Sequence, residues 1–453
     1  MALLLAAVLL FPAGSYAAEL DPAALEALDA AVAESHIPAM AIAVVDADGV
    51  VFERFYGTNV TEDTVFLLGS LSKSFTALCI MQLAESGALD LDEPVSDYVD
   101  TAARGVTIRQ LLNHTSGYGT YQTSIDEVPE SPPGRHVYSN LNYALLGRIV
   151  ERVSGQTYSD YLREHVLTPL GMLHTSAEPA ETIQNGLADQ YANWFGVPVS
   201  AAPQFPDTDD WIQPSAGYIS SSLRDMERYL QKYLRGGEGV VSAAGLQRMF
   251  DEAVPVEDEI PYAYGFGWNV IHKPLPQTVY RHAGLVETGM TCMYLLPQAG
   301  LGIIFMADMN DYLVGTDLMD RIGWNLVMSI LGMEPGGIEA GEYWRRHGMF
   351  DLIYAGLLIA GTMALLRIPR FNRRCGQTKP CLSLLSALGY CSAAVILFAA
   401  PPVFFDAPYW VVRAFVPDLY TVLLVSGAMI LTGGLIRLGI VLRCSRLQQN
   451  KTA

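Results

Sequence analysis

The chain has 453 residues and a formal net charge of −19, and it is longer than one ordinary domain of about 100–200 residues. Residues 1–344 carry 16 Lys+Arg against 44 Asp+Glu, whereas 345–453 carry 12 against 3. So large an acidic excess repels phosphate backbones and argues against nucleic acid as a partner of the first part. The six cysteines form no C-x-x-C pair and no zinc-type His/Cys spacing, so neither a metal nor a cofactor is expected.

The chain opens on an apolar run, MALLLAAVLLF, followed by Pro12, Gly14 and the A-x-A-like Ser15-Tyr16-Ala17. The run is too short to span a bilayer and reads as a signal peptide over residues 1–18, or an N-terminal anchor because no Lys or Arg precedes it. Residues 38–56, PAMAIAVVDADGVVFERFY, alternate around Asp46-Ala47-Asp48-Gly49 and predict a β-hairpin. A second hairpin is predicted from Thr291–Pro297 and Leu301–Ala307 around Gln298-Ala299-Gly300.

Between the hairpins lie helical patterns: Ser70–Ser86, Thr107–Asn113 with a Thr-x-x-Gln capping box, Leu141–Val153, and Ser222–Tyr233 with Asp225 three residues past its serine. Strands at both ends with helices between predict an α+β domain over residues 19–342, its antiparallel sheet built from both ends and a helical region inserted. The Pro-rich, aromatic stretch 193–217 is long for a plain connection and is expected to line a binding site. Cys79 and Cys292 are expected as buried free thiols.

Residues 343–453 hold three apolar stretches, about Gly348–Leu366, Cys381–Phe405 and Leu419–Ile436, each long enough to cross a hydrocarbon core of roughly 30 Å. Arg367, Arg370, Arg373, Arg374 and Lys379 follow the first, and Arg437, Arg443, Arg446 and Lys451 follow the third. By the positive-inside rule these segments face the cytoplasm and the first 344 residues lie outside. Tyr343, Trp344, Tyr409 and Trp410 flank the spans on the predicted outer side, as an aromatic belt does.

The chemistry is concentrated in GSLSKSFTALCI, residues 69–80. Ser70 and Lys73 fall one helical turn apart on one face, within proton-transfer reach. A serine hydroxyl needs a base, and a lysine can act as one only where burial strips its proton near neutral pH. Tyr138-x-Asn140 precedes the third helical pattern, and His282-Ala283-Gly284 leads into the second hairpin. His114 reads as a structural residue, His136, His165, His174 and His272 as surface or core, Ser72 as bonded locally and Ser74 as packing. Neither a G-x-S-x-G elbow nor an H-E-x-x-H pair occurs.

With Ser70-x-x-Lys73, Tyr138-x-Asn140 and His282-Ala283-Gly284, the sequence resembles the penicillin-recognising serine hydrolases. It is closest in pattern to the class C β-lactamase branch, which includes D-alanyl-D-alanine carboxypeptidases, family VIII esterases and D-amino-acid peptidases. LLNHTSG (111–117), AGYISSSLRDMERYL (216–230) and YGFGWNV (264–270) extend the resemblance, which runs from about Ile37 to Met328. It implies Ser70 as acylated nucleophile, Lys73 as its base partner, and Tyr138 as proton relay. It further implies Asn140 as holder of the substrate amide and of Lys73, and His282, on the sheet's edge strand beside Gly284, as facing the substrate. Leu285 would offer its N–H with that of Ser70 as an oxyanion hole.

His282 replaces a fixed lysine charge by one that varies around neutral pH, so recognition of a free substrate carboxylate does not carry over. The expected partners are a small peptide, peptidoglycan-like, ester or β-lactam substrate and the lipid bilayer of the cytoplasmic membrane. The alternatives are a family VIII-like esterase and a non-catalytic cell-wall or β-lactam sensor.

Overall fold

In the computed structural model, which describes residues 22–205, 213–257, 261–272, 274–375 and 377–452, the chain divides into two units. The signal-like residues 1–18 lie outside the described residues. The first unit is built from the stretches up to Tyr191, Ser200–Asn310 and Thr316–Ile338; the second comprises Ala192–Val199, Asp311–Gly315 and Glu339–Ala453.

Helix α1 (Pro22–Ser35) leads into the hairpin of β1 (Met40–Val45) and β2 (Val50–Tyr56). Its turn closes because Asp46 Oδ1 accepts the amides of Asp48 at 2.7 Å and Gly49 at 2.8 Å. Short strands β3 (Val65–Leu67), β4 (Gln190–Trp194), β5 (Val197–Ala201) and β6 (Ser220–Ser222) follow. The chain then lays down β7 (Val254–Pro255), β8 (Tyr262–Tyr264), β9 (Asn269–Ile271), β10 (Val279–Val286), β11 (Gly289–Leu296) and β12 (Leu301–Ala307).

The main sheet has eight strands in the order β2-β1-β12-β11-β10-β9-β8-β7, and β1 pairs antiparallel with β12 from Met40↔Ala307 to Val45↔Gly302. The two ends of the unit therefore share one sheet, as the hairpin patterns predicted. Strand β1 is apolar throughout because both its faces are covered. Met40, Ile42 and Val44 pack with Leu28 and Val32 of α1 and with Met319 and Ile322 of the helix Gly315–Ile330. Ala41, Ala43 and Val45 join the larger core of the inserted helices.

The inserted helices follow the sequence signals closely. Thr107 caps α3 (Ile108–Leu112) with the full reciprocal box to Gln110, and Ser222 caps the helix Leu223–Leu234 by accepting the Asp225 amide. Gly155, at φ +73°, ends α4 (Asn140–Ser154) in the left-handed conformation. Helix α2 (Ser72–Glu85) buries eleven of its fourteen residues, which makes it a core helix with no solvent stripe. Cys79 and Cys292 are buried free thiols.

In the second unit, three helices are long and apolar enough to cross a membrane: Glu342–Leu366, Pro380–Phe405 and the first part of Pro417–Thr452. Small residues let them approach: Gly361 lies against Ser426 and Met429, Gly433 against Ala364, and Gly434 against Cys391.

Candidate active site

Ser70 lies in a 3-10 turn, Gly69–Leu71, that runs directly into α2. The turn is clamped from several directions. Leu68 N donates to Ile219 O at 2.9 Å, and Leu68 O accepts from Thr291 Oγ1 at 2.6 Å. Ser72 Oγ donates to Gly69 O at 2.7 Å and accepts from Ile219 N at 3.1 Å. Ser72 thus bonds beyond its own turn, and Ser74, expected only to pack, donates to Leu71 O and accepts from Tyr229. Gly69 has φ +54°, and a Cβ there would fall 2.6 Å from Leu285 N, so only glycine lets the Ser70 turn press against β10. Gly284 is equally confined, against Leu68 O and Thr291. The amide of Leu285 consequently lies beside the Ser70 turn.

Lys73 is wholly buried, and among the described residues no carboxylate pairs with it. Its Nζ lies 2.7 Å from Asn140 Oδ1, 2.6 Å from Ala216 O and 3.1 Å from Ser70 Oγ. Burial lowers its pKa well below the ordinary lysine value. An uncharged amine has two N–H donors and one lone pair. The two shorter contacts are to carbonyl oxygens and take both donors, which leaves the lone pair for the Ser70 O–H. Tyr138 also hydrogen-bonds Ser70, and its ring centroid stands 4.8 Å from Lys73 Nζ. Burial raises the Tyr138 pKa, so the phenol keeps its proton.

Ala216 and its carbonyl come from the π-helical turn Pro214–Tyr218. Nothing in the linear pattern marks Ala216 as a Lys73 partner, although 216–230 stood out as a family-like segment. Residues 193–201 of the stretch 193–217 belong to the β4–β5 hairpin, and 206–212 lie outside the described residues.

The structure corrects the reading of His282 in two respects. First, β10 is an inner strand of the sheet, not its edge. Its pairing with β9 covers only Val279–Arg281, so from His282 to Val286 no described strand continues on that side. Second, His282 is 2% exposed and does not carry a charge that varies around neutral pH. Its Nδ1–H donates to Ala283 O at 2.9 Å, so Nε2 accepts from the Tyr264 hydroxyl at 3.0 Å. Burial pulls its pKa down to about 3. Tyr264 intervenes because Gly267, at φ +76°, lets the 264–268 loop approach the backbone of Lys73 and Ser74.

His114 is structural as expected: at φ +59° it accepts the Asn142 amide on Nδ1 at 2.9 Å. His136, expected at the surface or in the core, is half-buried. It belongs to an aromatic cluster beside the site, 5.8 Å from His114 and 5.7 Å from Tyr264 between ring centroids. Burial holds its pKa down at about 4. Among the described residues no group of three His, Cys, Asp or Glu could hold a metal ion.

The Beta-lactamase family model matches residues 25–319, and the chain belongs to that family. Penicillin-binding protein 4 of Amycolatopsis lactamdurans is 32% identical over 284 residues, covering 54% of this chain and 74% of that protein. Protein flp of Staphylococcus aureus strain MW2 is 27% identical over 339 residues, 66% of either chain, so the chain spans just under two thirds of that relative. Among solved structures, the octameric penicillin-binding protein homologue from Pyrococcus abyssi superposes with a TM-score of 0.61 at 25% identity, over 71% of this chain and 80% of that one. The fold is that of the β-lactamase and penicillin-binding serine hydrolases, followed by three candidate membrane helices.

Proposed function

We propose that the chain is a serine hydrolase working through an acyl-enzyme on Ser70, its hydrolase unit over residues 19–342 held outside the cytoplasmic membrane by the helices of 343–453. The observation that carries this reading is the buried Lys73 amine, without a carboxylate partner among the described residues, held by Asn140 Oδ1 and Ala216 O with its Nζ 3.1 Å from Ser70 Oγ; burial lowers its pKa toward the uncharged form a base requires. Lys73 takes the Ser70 proton as Oγ bonds the acyl carbon. The oxyanion is met by the Ser70 and Leu285 amides. Tyr138 passes a proton to the leaving nitrogen or oxygen as its bond to carbon breaks, with Asn140 steering Lys73 and the substrate amide. Water then gives a proton to Tyr138 as its oxygen bonds the acyl carbon, and Lys73 returns the first proton to Oγ as the ester bond breaks.

Family membership supports D-amino-acid peptides, peptidoglycan fragments or β-lactams as substrates. A specific observation favours a second reading, an esterase or amidase for substrates with no free carboxylate beside the scissile bond: His282 is neutral and covered by Tyr264. Membranes bearing the full chain, treated with a fluorescent penicillin or a fluorophosphonate, are expected to show label on the peptide containing Ser70 and none in Ser70→Ala. Equal labelling of both proteins would refute the enzyme and favour a non-catalytic sensor. Hydrolysis of a D-alanyl-D-alanine peptide and its C-terminal amide separates the substrate readings: tenfold preference for the free acid would overturn the second.

A further inference from the structure

We infer that the three-helix unit carries a binding site for the phosphate headgroup of an anionic lipid. A cavity of about 540 Å³ opens at the basic end of this unit, where the first helix ends, the second begins and the third passes, and that volume is within the roughly 300–1,000 Å³ of small-molecule sites. Arg367, Arg370, Arg374 and Arg437 line it, with Ser383 and Tyr390 adding hydroxyls. Among the described residues no carboxylate lines it. The three acidic residues of 345–453 are Asp351 near the start of the first helix, Asp406 capping the end of the second and Asp418 at the start of the third, all toward the opposite end.

Arg437 makes the case specific. It is 1% exposed, donates to Gly433 O at 2.8 Å, and stacks with its guanidinium carbon 4.1 Å from the Tyr390 ring centroid and 5.6 Å from that of Phe371. A guanidinium keeps its charge, and a buried charge without a counter-charge is costly, so an anion is the missing partner. A planar fork of donors suits a phosphate. The cavity wall itself continues into exposed leucines: Leu382 lines the cavity at 57% exposure, and Leu385 follows at 63%. A headgroup in the cavity would leave acyl chains along that apolar flank, which a soluble phosphate would not use. The site rests on the helices being embedded in a bilayer and is independent of the chemistry at Ser70.

The test uses the full chain purified in an uncharged detergent, titrated with phosphatidylglycerol or phosphatidylcholine and read by native mass spectrometry. Phosphatidylglycerol is expected to be retained at least about tenfold better than phosphatidylcholine, and R370Q/R374Q to lose about tenfold of that retention while still labelling at Ser70. R413Q/R443Q removes the same charge away from the cavity and is expected to retain lipid as the parent does. Equal losses in the two double variants, or equal retention of the two lipids, would overturn the site. Displacement of phosphatidylglycerol by equimolar inorganic phosphate would overturn the lipid in favour of a soluble phosphate.

Discussion

Lys73 and Arg437 are both basic side chains shut away from solvent, and neither has a carboxylate partner among the described residues. Their neighbours differ in kind. Lys73 faces two carbonyl oxygens and a hydroxyl, partners an uncharged amine can satisfy, and burial lowers its pKa well below the ordinary lysine value. Arg437 faces two aromatic rings and a single carbonyl, and a guanidinium cannot shed its charge to suit them. Burial therefore makes a base of one side chain and an anion-seeking group of the other.

Exchanging the two chemistries is the sharpest way to break this comparison. Lys73→Arg installs a permanent charge where a lone pair is required, and kcat/KM for a chromogenic ester is expected to fall by roughly 10²–10⁴. A fall below tenfold would mean that Lys73 does not serve as the base. Tyr138→Phe keeps the ring beside Lys73 and removes only the hydroxyl; a loss of roughly 10² is expected in kcat, at the low end for a proton-transfer group. Unchanged kcat would remove Tyr138 from the relay.

The smallest effect concerns the wall of the site. Tyr264→Phe leaves His282 Nε2 buried without its donor and is expected to cost about 1–3 kcal/mol in chemical denaturation. The pH dependence has a definite sign. With its folded pKa at about 3, His282 stays neutral where the unfolded chain, near 6.5, already binds a proton. Its contribution is complete above pH 6.5 and is lost as pH falls from there toward 3, with a slope of at most about 1.4 kcal/mol per pH unit. A slope unaltered in His282→Asn would show that the ring titrates normally.

Much of this site was legible because its parts are short-range. Ser70 and Lys73 share one turn, Asn140 opens a helix, and Asp46–Gly49 and Thr107–Gln110 specify their own turn and cap. The charge split of the tail likewise needs no fold to be read. What escaped depends on contacts between segments far apart in the chain. The Ala216 carbonyl reaches Lys73 across 143 residues, and Tyr264 meets His282 only because the 264–268 loop folds over α2. A histidine's charge is set by such burial, so the expectation that His282 titrates near neutrality failed. His136 was passed over for the same reason, since its aromatic neighbours come from separate loops.

The most direct measurement is the rate at which an uncharged, Ser70-directed fluorophosphonate acylates the full chain as a function of pH. The rate is expected to reach its plateau far below the free-lysine value of about 10.4, and Lys73→Arg should abolish that limb. A rate still climbing through pH 10, or a limb that survives the substitution, would contradict a neutral Lys73 as the base.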